Sequence, residues 1–172
     1  MNMEVTGYQL REALKMASLE LETVKTQFDE SLYAFADEKK ESPEDISTRI
    51  EELETKVATL QAAQEFYNQR VTVDVAGKEM LLAVAIKLVG GAGRVAKMWK
   101  HAAKGAVRDR WSRHQSVIRK TDEEMAKPTI DKADALKLAV QREHYAASLR
   151  SAIAYGNTTK VAVDFVDESL LG

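Results

Sequence analysis

Apolar residues recur along this chain at alternating steps of four and three. Leu10, Leu14, Ala17, Leu21, Val24, Phe28 and Phe35 form the first row, with Ser31 in its one weak slot. Glu12, Lys15, Glu20, Glu22 and Lys25 lie between them. A helix over 6–41 would therefore show one narrow apolar stripe with charged flanks. Asp37-Glu38-Lys39-Lys40-Glu41 interrupts the row, and Ser42-Pro43-Glu44-Asp45 restarts it. Ser42 can cap a helix, Pro43 suits its first turn, and Asp45 stands where a capping-box acid belongs. Over 42–71 the same steps run through Ile46, Ile50, Leu53, Val57, Leu60, Gln64, Tyr67 and Val71. Two helices of similar length with a short polar link predict an antiparallel coiled-coil hairpin. Its seam includes Leu14, Leu21, Phe28, Ile50, Val57 and Leu60. Gln64 is the polar member, and a buried amide costs stability unless it is paired or fixes register.

The next helical region is expected over 78–120. Met80-Leu81-Leu82-Ala83-Val84-Ala85-Ile86 is apolar on every side, which predicts burial by more than one neighbour, with Leu82 and Ile86 as packing positions. A last helix reads over 129–156, through Leu136, Leu138, Val140, Tyr145, Leu149 and Ile153, and Gly156-Asn157 is a natural stop. Val71–Val75 and Val161–Phe165 alternate with period two and are rich in β-branched residues. They predict short strands, the second in a strand-like tail over 157–172, and a two-stranded pairing between them would be marginal on its own. The expected fold is mainly α: a single domain over 1–172 in which the hairpin packs on further long helices, with one or two short β-strands.

Charge divides the chain unevenly. Residues 1–60 carry 14 acidic and 7 basic side chains. Residues 94–120 carry nine basic ones, among them Arg94, Lys97, Lys100, Lys104, Arg108, Arg110 and Arg113, against Asp109 alone. The whole chain is nearly balanced, at −2. An acidic beginning and a basic middle either neutralise each other, within or between subunits, or leave the basic part for an anionic partner. Trp99 and Trp111 are interleaved with the basic residues, an arrangement that can grip a nucleic-acid backbone and stack on bases.

Several chemistries are absent from the residue list. There is no Cys in the 172 residues, which excludes disulfides and thiolate-bound zinc or iron–sulfur sites. His101, His114 and His144 have no partner at helical metal-site spacing, and no His-Glu-x-x-His occurs. No catalytic, metal or cofactor site is expected. Gly91-Ala92-Gly93-Arg94-Val95-Ala96 follows the dinucleotide pattern of glycines, but that fingerprint needs a strand before it and a helix after it. A helix break or close packing at Gly90-Gly91 is the simpler expectation. The first residues carry no basic and apolar leader, and Met80–Val89, which contains Lys87, is shorter than the ~18–20 apolar residues that span a bilayer. A cytoplasmic location, or one within an assembled particle, is expected.

Leu10-Arg11-Glu12-Ala13-Leu14, Asn68 with Thr72 and Gly77, Arg110-Trp111-Ser112-Arg113 and Asn157-Thr158-Thr159 together resemble the septicolysin-like family of largely uncharacterised bacterial proteins. The resemblance implies a helical coiled-coil fold. The family name points to cytolysis, but no functional residue carries over. Apolar Met80–Val89 and the Gly90/Gly91/Gly93 cluster depart from the family's more charged helix, and the chain continues past Thr159. From the seams and charge blocks, the expected role is a non-enzymatic, oligomerising structural or scaffolding component, such as part of a phage or viral particle. Its partners would be itself or other subunits, with no small-molecule substrate. The alternatives are a nucleic-acid-associated protein using 94–120 and, third, a membrane-active protein. A buried core explains Met80–Trp99 better than a membrane surface does.

Overall fold

The computed structural model describes residues 3–35, 38–104 and 129–171. Within them the protein is mainly α-helical, with five helices and two antiparallel two-stranded sheets. The chain divides into two compact units: Met1–Val73 with Glu79–Ala83 and Ile153–Gly172, and Asp74–Lys78 with Val84–Ala152.

The first unit is built on α1 (Gly7–Ser31) and α2 (Pro43–Arg70). Thr6 caps α1 in a reciprocal box with Gln9: the Gln9 N–H donates to the Thr6 hydroxyl, and Gln9 Oε1 accepts from the Thr6 N–H. Ser42 caps α2 by accepting from the Glu44 N–H, and Pro43 occupies the first helical position, where no N–H is missed. Lys25 bridges to Glu54 at 3.0 Å and Gly7 lies beside Tyr67, so the two helices run in opposite directions. Their shared core holds Leu10, Leu21, Val24, Ile46, Leu60 and Tyr67. Of the expected seam, Leu21, Val57 and Leu60 are buried, whereas Leu14, Phe28, Ile50 and Gln64 are half-buried.

The seam rotates slightly, because a straight helix at 3.6 residues per turn drifts from a strict seven-residue repeat. Ala13 and Ala63 consequently take inward places beside Leu14 and Gln64. Phe35 is outside α1, which ends at Ser31, and it is exposed. The helix expected to reach residue 41 therefore stops ten residues earlier, where the Ser31 hydroxyl donates back to the Phe28 carbonyl.

Strand β1 (Met3–Val5) pairs antiparallel with β4 (Val161–Val163), Val5 opposite Val161 and Met3 opposite Val163. A short helix, α5 (Glu168–Leu171), follows. Strand β2 (Thr72–Val75) pairs with β3 (Lys78–Leu81). The two expected strands thus exist but do not pair with each other. The link between β2 and β3 is two residues, Ala76 (φ 54°) and Gly77 (φ 82°), both left-handed. That is the tight hairpin geometry whose twist suits flanking strands, and the Asp74 carboxylate accepts from the Gly77 N–H.

Because the chain makes this hairpin, the helix expected from residue 78 begins at Leu82, as α3 (Leu82–Ala103). The Leu82 N–H donates to the Val71 carbonyl at 2.8 Å. In the second unit, α3 and α4 (Lys132–Gly156) supply mostly alanine to the interior: Ala85, Ala96, Ala135, Ala139, Ala146 and Ala152, together with Val75 and Leu149.

Candidate interaction surface

The apolar run read as buried all round is not. On α3, Leu82 and Ala85 are buried and Ile86 is half-buried, but Val84 and Leu88 stand in solvent. One turn of helix after another repeats the pattern. Val84, Leu88, Gly91, Val95, Met98 and Ala102 follow steps of four and three along α3. All are exposed except half-buried Gly91, and Met98 reaches 68%. Eighteen residues of rise make this stripe about 27 Å long. The burial expected for the segment fails because its inward face is satisfied by small side chains, and among the described residues none covers the opposite face.

Gly90, Gly91 and Gly93 lie inside α3 and do not break it. Their amides belong to the helix interior, so the dinucleotide-like string forms no phosphate-cradling turn. Of the three, Gly91 alone belongs to the stripe and lowers its profile. Only the Arg94 guanidinium lies within 4 Å of where side chains at Gly90 and Gly91 would begin, and nothing lies that close at Gly93.

One flank of the stripe is cationic. Lys87, Arg94 and His101 each precede a stripe residue, Lys97 and Lys100 are also exposed, and α3 contains no acid. Lys104 is exposed just beyond the helix end. Of the basic residues expected to contact an anion, Arg94, Lys97, Lys100 and Lys104 lie on or next to α3, while Arg108, Arg110 and Arg113 lie outside the described residues. Half-buried Trp99 is on α3, and Trp111 and His114 are outside the described residues.

A second feature of the same unit lies on α4. Leu136, Ala139, Val140, His144 and Ala147 line a groove of about 380 Å³, bounded by Lys100 and Glu143. Glu143 accepts from Arg150 at 2.9 Å and from Lys100 at 3.1 Å. These two bonds, the Arg150 one foremost, hold its carboxyl below the ordinary carboxylate range. Both cations are thereby occupied, and the groove floor is aliphatic. Its lining is largely apolar, with an ion-paired edge.

The first unit holds the most tightly built polar cluster, which periodicity alone does not reveal. Tyr67 is fully buried, and its hydroxyl lies 2.7 Å from both the Gly156 and Thr159 carbonyls. The Gly7 N–H, one of the orphan donors at the start of α1, meets the same oxygen. Burial pushes the Tyr67 phenol above its ordinary value. Asn157 caps the end of α4: its Nδ2 donates to the Ile153 carbonyl and its own carbonyl accepts from the Tyr8 N–H. A methyl group on Gly7 would collide with Asn157 Oδ1 and the Tyr67 ring. The Tyr67 hydroxyl and the Asn157 amide nitrogen are both bonded to backbone, so the cluster ties chain ends together.

Gln64 donates to Asn68 Oδ1, but its buried Oε1 has no hydrogen-bond partner among the described residues. Among the described residues no group of three or more His, Cys, Asp or Glu is placed to hold a metal ion, and no helix is long and apolar enough to cross a membrane.

These features define a mainly α protein with two short antiparallel sheets. Its fold is similar to the crystal structure of a functionally unknown conserved protein from Corynebacterium diphtheriae, with a TM-score of 0.65 over 92% of this chain and 99% of that one, at 16% identity. At that identity the likeness concerns the fold alone. No family model matches the chain, and no curated protein matches it in sequence.

Proposed function

We propose that this protein is a non-enzymatic structural component that oligomerises through α3, as a subunit of a larger particle would. The observation that carries the reading is the exposed row Val84, Leu88, Gly91, Val95, Met98 and Ala102. An apolar row at coiled-coil spacing over about 27 Å stabilises a protein when another helix covers it and is a liability when water does. The polar clusters of both units are consumed by helix ends and ion pairs, which favours contact over chemistry. The septicolysin-like resemblance is compatible with a helical contact surface and assigns no activity to it.

The test is light scattering or sedimentation across a concentration series, on the wild type and on Leu88→Asp with Val95→Asp. The wild type should form a defined oligomer, and the double variant should remain monomeric with unchanged helical circular dichroism. A wild type that stays monomeric at high concentration overturns the reading.

A nucleic-acid role is the second reading, favoured by the exposed Lys87, Arg94, Lys97 and Lys104. Salt-sensitive DNA retention that disappears on neutralising those four would support it.

A further inference from the structure

We infer that the partner of the α3 stripe is the outward face of α1 in another copy of this chain, in a head-to-tail contact. The inference rests on the oligomeric reading above and adds which surface meets which.

The first argument is charge. Lys87, Arg94 and His101 line one edge of the stripe and α3 has no acid to offset them. Two α3 helices packed antiparallel on each other would bring that edge against its own copy, and like charges facing each other across a contact oppose it. An acidic partner meets that edge with the opposite sign. Helix α1 carries five acidic residues against three basic ones.

The second argument is shape. On the solvent side of α1, Tyr8, Glu12, Met16, Leu19, Thr23 and Thr26 run in helical steps over the same 18-residue rise as the stripe. Met16 and Leu19 are 56% and 61% exposed. The stripe has complementary relief: Leu88 and Val95 flank Gly91, where the helix surface is a notch. A large side chain near the middle of α1, Met16 or Leu19, fits a notch near the middle of α3 as a knob fits a hole.

The third argument is polar satisfaction. The Thr23 and Thr26 hydroxyls already donate to the Leu19 and Glu22 carbonyls of their own helix, so covering them strands no donor. Glu12, in the row itself, is paired with Lys15 at 3.6 Å, and Glu20 and Glu22 stand on opposite edges of the row, so that one of them can face Lys87, Arg94 and Lys97. Arg11, Lys15 and Lys25 also lie on α1, Lys25 being 3.7 Å from Glu22, so the attraction is a balance in favour of the acids rather than a uniform field.

Two different surfaces in contact make a heterologous interface, which closes into a ring or grows as a filament. That is the behaviour of a particle subunit.

The experiment uses two full-length charge-inverted variants: Lys87→Glu/Arg94→Glu/Lys97→Glu on α3, and Glu12→Lys/Glu20→Lys/Glu22→Lys on α1. Each is checked for unchanged circular dichroism and run in sedimentation velocity at about 50 mM and about 500 mM salt. Each alone should associate at least about tenfold more weakly than the wild type at low salt. An equimolar mixture should regain assembly, because each inverted face then has an inverted partner. If the wild type assembles and the α1 inversion leaves assembly intact, the inference fails while the oligomeric reading stands. If the wild type does not assemble, both fail. Co-sedimentation of the wild type with phosphatidylserine vesicles, unaffected by the α1 inversion and abolished by the α3 inversion, would assign the stripe to lipid and overturn the inference.

Discussion

In the first unit Leu10, Leu60 and Tyr67 are fully buried and Val24 and Ile46 nearly so; among the described residues of the second, six of the eight buried positions are alanine. The contrast is one of side-chain size in the two interiors. Large side chains give the hairpin many contacts and remove much apolar surface from water, each contributing roughly 1.5–3 kcal/mol when fully buried. An alanine contributes little beyond one methyl group, though it lets helices approach closely. The same α3 that buries Ala85 and Ala96 leaves Val84, Leu88, Val95 and Met98 outside. Both units leave some large apolar side chains exposed, Met16 and Leu19 on α1 among them, but only the first also fills its interior with large ones.

The largest expected effect tests that division directly. Leu60→Ala should destabilise the protein by about 2–5 kcal/mol, since it opens a cavity among residues that cannot collapse around it. Val95→Ala, on the exposed stripe, should change the stability of the monomer by no more than about 0.5 kcal/mol. Urea unfolding of both at a concentration that keeps the protein monomeric makes the comparison. Equal losses would show that the stripe is part of the core after all.

Tyr67→Phe is next in size. It removes the hydroxyl shared by the Gly156 and Thr159 carbonyls and the Gly7 N–H, and stranding buried backbone groups costs about 1–3 kcal/mol. The phenol's raised value adds a pH signature. Its contribution is complete below the ordinary tyrosine value and is lost as pH rises through the raised folded value. Wild-type stability should therefore fall more steeply in alkali than that of Tyr67→Phe, a difference read from unfolding midpoints between about pH 8 and pH 11.

Much of the hairpin is legible in the amino acids because its signals are local. The Ser42-Pro43 start and the apolar rows of α1 and α2 each act within a turn or two. What escaped reading depends on distant or atypical partners. Met3–Val5 is too short to show an alternation, and its strand exists because Val161–Val163 comes to it from the far end of the chain. The Ala76-Gly77 turn lacks the Asn-Gly or Asp-Gly pair that marks such hairpins, so Lys78–Leu81 read as helix.

The interaction surface was half visible. The residues of the α3 stripe sit in a segment apolar on all sides, and periodicity cannot say which side of such a helix finds a neighbour. Tyr67 read as a seam residue, but nothing near it in sequence announces Gly7 and Asn157 as its companions.

A smaller change should sharpen the hairpin's side of the comparison by improving it. Gln64 stands half-buried in the α2 row with its Oε1 unpartnered. Gln64→Leu should stabilise the protein by about 0.5–1 kcal/mol, because it replaces an orphaned acceptor with a side chain that matches the row. It also strips Asn68 Oδ1 of its donor, which sets the upper limit on the gain. A loss of stability would mean that the amide is fixing the register of α1 against α2, the role polar seam residues can take.

The smallest effect belongs to the second unit and has a sign that can be worked out. Arg150 and Lys100 hold the Glu143 carboxyl below its ordinary value. A depressed folded value means that the ion pairs contribute fully above the unfolded carboxylate's range and are lost as pH falls through the lower folded one. All three side chains are between 39% and 56% exposed, so water and salt keep the contribution modest. Acidification from about pH 6 to about pH 3 should loosen the link between Lys100 of α3 and Glu143 of α4 while the aliphatic core of the hairpin does not titrate. Hydrogen exchange, corrected for its intrinsic pH dependence, should show protection around Glu143 falling with acid, and Glu143→Gln should make that region respond to acid as little as the hairpin core does. If the variant keeps the full acid response, other carboxylates carry it and the Lys100–Glu143–Arg150 cluster contributes nothing measurable.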